Sequence, residues 1–167
     1  DMRYASIRSL DISDGSGVGI ALFCQGCRIH CKNCFNQSTW DFNGGKPFDD
    51  KVKEELFSLL ERPYIDRISI LGGEPLCDDN AGDIKQLIEE IRDRFGATKK
   101  IWLYTGYTIE SLTGDAKEAV WNCDVVVDGP FVEAEKDLRL AFKGSKNQRI
   151  INIPRSKDAH QIVEMNF

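Results

Sequence analysis

The chain has 167 residues with 22 basic and 27 acidic side chains, a formal net charge of −5; it is long enough for one core and carries no Lys/Arg-rich block of the kind that engages nucleic acid directly. No apolar run approaches the ~20 residues that a bilayer span needs, and the opening stretch lacks a basic segment followed by an apolar one, so a cytoplasmic protein without membrane association is expected. Four of the six cysteines fall between positions 24 and 34, which in a reducing compartment points to metal binding or catalysis rather than disulfides.

In chain order, the first punctuated segment is "DGSGVGIA" (14–21). It invites a dinucleotide fingerprint, but Ile20 stands where the third glycine belongs, and the stretch precedes a strand instead of opening a helix. The apolar run "GIALFC" (19–24) predicts that strand, followed by the cysteine loop 24–36. Further apolar β-type runs occur at 67–71, 101–104, 124–128 and 149–153. Between them, Val52, Leu56, Leu59 and Leu60 fall on one helix face, and Ile84, Leu87, Ile88, Ile91 and Phe95 on another. A weaker helical signal over 108–121 is interrupted near "TGD" (113–115), and the segment 154–167 reads as a loose tail. No repeat or long linker divides the chain, so one α/β domain over 1–167 with a mostly parallel sheet is expected.

The polar and glycine-rich segments all follow predicted strands: the cysteine loop, "GGEP" (72–75), "TGY" (105–107) and "DGPF" (128–131). In a parallel sheet they share its C-terminal edge, where open sheets and barrels of this class hold ligands.

Within the cysteine loop, Cys24, Cys27, Cys31 and Cys34 are separated by two, three and two residues. A zinc ribbon separates its two pairs by a dozen or more residues, so thiolates this crowded suit an iron–sulfur cube better. Alternation with Leu22 and Phe23 makes Cys24 an ordinary buried strand residue, which leaves Cys27, Cys31 and Cys34 as metal ligands and one iron of a [4Fe-4S] cluster open. A cluster closed by all four thiols, without catalysis, is the competing reading.

The spacing of Cys27, Cys31 and Cys34, followed by "GGEP" (72–75), resembles the radical S-adenosylmethionine superfamily. With "DGSG" (14–17), "GCRIHCKNCFNQSTWDFNGGKPF" (26–48), "WLYTGYT" (102–108), "VVVDGPF" (125–131) and "KGSKNQR" (143–149), the chain resembles, over nearly its whole length, the activating enzymes of anaerobic (class III) ribonucleotide reductase. The resemblance implies a partial, open (β/α) barrel, an S-adenosylmethionine chelated at the open iron, and reductive cleavage of its sulfonium to a 5′-deoxyadenosyl radical. The implied partners are the glycyl-radical catalytic subunit of that reductase, whose glycine Cα gives up the hydrogen, and an electron donor such as flavodoxin; an activase of another glycyl-radical enzyme, of the formate-lyase type, is the alternative. It further implies cofactor contacts at Gly72, Gly73, Glu74 and Pro75, at Thr105 and Asp128, and around the last cysteine at Asn33 and Phe35. Many superfamily members carry an aromatic residue just before the last cysteine, where this chain has Asn33; Phe35 is the aromatic just after that cysteine. From the residues alone, 72–75 reads equally as a tight strand-to-helix turn, Asp128 as a turn carboxylate, and Ser145, Asn147 and Arg149 as a solvated loop. Cys77 and Cys123 are not expected as ligands, and His30 reads as an exposed loop residue.

Overall fold

A computed structural model describes residues 2–31, 34 and 37–167. The chain begins with an antiparallel pair, β1 (Arg3–Asp11) and β2 (Gly19–Cys24), and a two-residue β3 (Lys46–Pro47) joins β1 on its other side. Then come α1 (Asp50–Leu60), β4 (Arg67–Gly72), α2 (Asp78–Phe95), β5 (Lys100–Tyr104), α3 (Gly114–Trp121), β6 (Val125–Asp128), β7 (Arg149–Asn152) and α4 (Ile153–Ala159). These strands form one sheet in the order β3-β1-β2-β4-β5-β6-β7. It is a mixed α/β architecture in which β2, β4, β5 and β6 run parallel. Among the described residues β3 and β7 do not pair with each other, so the sheet is open.

The expectation of parallel strands with helical crossovers holds for these four central strands. The run 149–153 departs from it: its strand is antiparallel to β6, and Ile153 already opens α4. β1 was not foreseen, because it is exposed along much of one side and its Arg and Ser residues dilute the alternation that marks a half-buried strand. The segment 154–167, expected to be loose, is tied down. Asn152 caps α4 through Arg155 N, and 163–165 lies along the free edge of β7 through Asn152 N to Val163 O and Met165 N to Ile150 O. That pairing covers an edge which would otherwise present unpaired backbone groups.

The helix signals are placed as the periodicity requires. Asp49 caps α1 by accepting from Val52 N, and α2 opens with Asp78 and Asp79 and closes with Arg92 and Arg94, complementing the helix dipole. The interruption near 113–115 is real: a 3-10 turn spans Ile109–Ser111, and α3 starts at Gly114 with φ 58°.

Strand alternation divides the sheet into two faces. Ile20, Leu22, Cys24, Ile68, Ile70, Ile101, Leu103, Val126 and Ile151 pack with the apolar stripes of the helices in the main core. Ala21, Phe23 and Leu71 form a cluster on the other face, and Trp102, Val125, Val127 and Ile150 form a second one. Among the described residues that second face carries no helix-packed core, which leaves room for a site.

Candidate metal and cofactor site

The cysteine loop leaves β2 through Gln25 and Gly26. Gly26 has φ 96°, its N–H donates to Thr39 O at 2.6 Å, and Cys27 N donates to Trp40 O at 3.2 Å, so the loop is sewn to the segment that follows it. On its other side runs the turn after β4: Gly73 N donates to Cys24 O at 2.9 Å and Glu74 N to Gly26 O at 2.7 Å. A Cβ on Gly73 would stand 2.3 Å from Gly26 O, and one on Gly72, where φ is 108°, would stand 2.6 Å from Cys24 N. Both glycines are therefore required by close backbone approach beside the cysteines. Asn80 completes the joint by donating to Gln25 O and Glu74 O.

Arg28 holds the loop to the start of α2 through a bidentate pair with Asp79 at 2.8 and 3.0 Å. His30 is exposed and stacks on Trp40 at 4.3 Å between ring centroids, which agrees with its expected place in a loop. The Cys27 thiol receives backbone N–H groups from Ile29 and His30, and the Cys31 thiol receives those of Phe131 and of Cys31 itself. Burial nevertheless dominates and holds both thiols above their ordinary pKa.

Cys27, Cys31 and Cys34 line one cavity of about 460 Å³, together with Gly72, Gly73, Glu74 and Thr105. Cys24 does not line it. It is fully buried with Leu22 and Ile70 in the main core, and burial drives its thiol pKa far upward. Among the described residues no disulfide joins any of the cysteines; Cys77 and Cys123 are buried, their thiols donating to Glu74 O and Ala119 O.

Glu74 is 1 % exposed and ties three segments together. Its Oε2 accepts from Thr105 Oγ1 at 2.8 Å and Leu76 N at 2.9 Å, and its Oε1 accepts from Gly106 N at 2.7 Å. Burial raises its pKa to about 7 against the opposing pull of those donors. Pro75 is buried in the same turn and does not line the cavity.

Asp128 is placed differently from expectation. Because side chains alternate along β6, Val127 faces the cavity, whereas Asp128 accepts from Arg149 at 2.6 and 2.9 Å and from Ile109 N at 2.9 Å. It braces the 3-10 turn and β7. In the "KGSKNQR" segment, Ser145 and Asn147 hydrogen-bond within the β6–β7 loop, to Val132 N and Pro130 O, and Lys143, Gly144 and Gln148 are the residues that line the cavity. Asn33 and Phe35 lie outside the described residues. The sequence reading missed Trp40, Phe131 and Tyr104 as lining residues; for Tyr104 the signal was available, since alternation puts it on the same face as Trp102.

The 4Fe-4S single cluster domain family matches residues 13–151 of this chain. Proteins named anaerobic ribonucleoside-triphosphate reductase-activating protein are similar to it over nearly their whole length. The one from Escherichia coli (strain K12) is 38 % identical over 149 residues, covering 88 % of this chain and 96 % of that protein. The one from Enterobacteria phage T4 is 36 % identical over 151 residues, covering 89 % and 93 %. For Vibrio cholerae the figures are 33 % over 151 residues, 89 % and 97 %. This chain belongs to that family of activating proteins.

The residues present suit the cluster domain of the family. Cys27, Cys31 and Cys34 line the same cavity and Cys24 does not, which suits a cube that takes one thiolate per iron. Among the described residues no three His, Cys, Asp or Glu side chains converge on a single metal ion. The glycine cradle at 72 and 73 gives backbone access beside the thiols, and the cavity volume is that of a small-molecule site. Among the described residues no helix is long and apolar enough to cross a membrane.

Proposed function

We propose that this chain is a radical S-adenosylmethionine activase that installs a glycyl radical on the catalytic subunit of anaerobic ribonucleotide reductase, working in the cytoplasm with a flavodoxin-type electron donor. The observation that carries the reading is the convergence of Cys27, Cys31 and Cys34 with the Gly72, Gly73, Glu74 turn on one cavity, in a chain whose relatives bear the activating-protein name. The open seven-stranded sheet supports a partial (β/α) barrel whose cavity stays reachable by a protein substrate.

In this reading Cys27, Cys31 and Cys34 hold a [4Fe-4S] cluster with one iron open. Bound there, the cluster and S-adenosylmethionine would supply one-electron radical chemistry able to remove a hydrogen atom from a glycine Cα. The chain does the rest. Backbone N–H groups from Ile29, His30 and Phe131 favour thiolates at Cys27 and Cys31. Gly72 and Gly73 would let the backbone come close to the cofactor, and Glu74 with Thr105 fixes the spacing between the β4 and β5 loops. Phe23, Leu71 and Val127 present an apolar floor that excludes water. A cluster closed by four thiols would need Cys24 to leave the main core, where it is fully buried.

The test is anaerobic: reconstitute the cluster, reduce it, add S-adenosylmethionine and assay 5′-deoxyadenosine. A cluster-loaded, reduced sample that forms none would sink the reading.

A further inference from the structure

Phe142 stands in the cavity wall beside Leu140, in a backbone conformation that its own side chain does not favour. Its φ is 62°, in the left-handed region that a bulky residue adopts only where the surroundings impose it. Two rings are there to impose it. Trp102, on the second face of β5, meets the Phe142 ring at 5.3 Å and 72°, and Phe167 meets it at 5.0 Å and 88°. Trp102 and Phe167 are themselves 6.1 Å apart, so the three rings form one cluster with the edge-to-face geometry that aromatic pairs prefer.

Covering the sheet edge does not account for Phe167. The pairing along β7 is complete at Met165, whose N–H donates to Ile150 O and whose side chain packs on the Trp102, Val125, Val127 and Ile150 cluster. The chain then runs two residues further and sets a phenylalanine, 58 % exposed, against Phe142. What that ring gains is the contact with the cavity wall.

The wall is fastened by hydrogen bonds on the next residues. Gln148 Oε1 accepts from Gly144 N at 2.8 Å and Ser145 N at 3.2 Å, its Nε2 donates to Gly129 O at 3.0 Å, and Lys143 Nζ donates to Gln148 O at 3.1 Å. These bonds pin the base of the β6–β7 loop. The aromatic cluster carries the fastening outward from Lys143 to Phe142, toward Leu138, which is 80 % exposed.

Resting on the activase reading above, we infer that Phe167 is a positioning residue for the cofactor: acting through Phe142, it holds the 140–142 stretch as a fixed wall of the cavity against which S-adenosylmethionine packs. The adenosine of that cofactor is its flat, largely apolar part, and an aromatic wall beside the Phe23, Leu71 and Val127 floor suits it. Without the Phe167 ring, Phe142 is free to leave its left-handed conformation and the wall loosens.

The experiment uses the cluster-loaded protein and two readouts, hydrogen exchange without S-adenosylmethionine and calorimetric titration with it. Phe167→Ala should exchange about two- to tenfold faster over 138–148, with α2 unchanged, and should bind S-adenosylmethionine weaker by about the same factor, the worth of one aromatic pair. Phe167→Tyr keeps the ring and should match wild type in both. Phe142→Gly accepts the left-handed backbone but removes the ring, so adding Phe167→Ala to it should change cofactor affinity by less than about twofold. Unchanged exchange over 138–148, unchanged cofactor affinity, or a rise in exchange that extends through α2 overturns the assignment. So does a Phe167→Tyr variant as weak as Phe167→Ala, or a full further loss in the double variant. The activase reading fails separately, on absence of 5′-deoxyadenosine from wild type, and the exchange comparison decides the Phe167 contact whether or not that reading stands.

Discussion

The hydroxyl of Thr105 donates to the carboxylate of Glu74 at 2.8 Å, joining the loops that follow β5 and β4 inside a buried, water-poor pocket. With Leu76 N and Gly106 N on the same carboxylate, this joint sets the distance between two edges of the candidate site.

Glu74→Gln should weaken it. The amide nitrogen that replaces one oxygen faces N–H or O–H donors and leaves at least one unpaired, a loss of about 1–3 kcal/mol. Urea unfolding of the two proteins at pH 8 measures it. The pH dependence has a definite sign. The folded pKa, about 7, lies above the ordinary carboxyl value of 4.5, so the native state binds the proton more tightly than the unfolded chain. This contribution is fully present below about 4.5 and is lost as pH rises through about 7. Wild-type stability relative to Glu74→Gln should therefore fall between pH 5 and pH 8, and an unchanged difference over that range would contradict the assignment.

Gly73→Ala tests the close approach beside the cysteines. Its Cβ would meet Gly26 O at 2.3 Å, and backbone cannot swing aside as a side chain can. The expected cost is about 1–3 kcal/mol, together with poor iron loading, because Cys27 follows Gly26 directly. Gly96→Ala is the control. Nothing lies within 4 Å of its Cβ, so only the backbone conformation, φ 56° with ψ −130°, is penalised, at about 1–3 kcal/mol, with iron loading kept.

Much of this arrangement was legible beforehand, and the parts that were not have physical causes. Alternation along β2 separated Cys24 from the other three cysteines because a strand shows its faces with period 2. The same period, applied to β6, would have turned Asp128 away from Val127 and toward Arg149; the turn-like "DGPF" drew attention to sequence position instead of face. β1 escaped notice because its exposed Arg and Ser residues hide its pattern, and no sequence period reports that 163–165 lies along the edge of β7. The Glu74 joint links residues 31 apart in sequence through partners on two loops, and such pairings depend on the sheet order, which local patterns do not fix.

The division of labour among the loop cysteines is read by iron and sulfide analysis after anaerobic reconstitution. Cys27→Ala, Cys31→Ala and Cys34→Ala should each lose most of the bound iron. Cys24→Ala should keep it, giving up about 1 kcal/mol of stability for a small cavity in the main core. Iron loss in Cys24→Ala equal to that of the other three would restore the closed, four-thiol cluster.

The segment "DGSG" leads to the last prediction, because its glycines serve a side chain and not a nucleotide. Arg67 is fully buried at the start of β4. Its guanidinium donates to Ser16 O, Asp11 O, Gly15 O, Ser69 Oγ and the Asp11 carboxylate, the last at 3.0 Å. A Cβ on Gly15 would stand 2.5 Å from Arg67 Nε, which is why the loop around it is built from glycine. Arg67→Met fills part of the volume but takes from the Asp11 carboxylate, 1 % exposed, its buried cation, leaving it Arg8 at 3.4 Å with Ser13 Oγ and Asp14 N, and it removes the donor from three loop carbonyls. Breaking a buried pair from one side costs about 3–5 kcal/mol, so the urea midpoint should fall sharply. The pair is shielded from solvent, so the loss should be nearly the same in 0.05 M and 0.5 M NaCl. A loss that salt largely abolishes would place the Arg67 interaction at the surface and contradict the buried loop anchor.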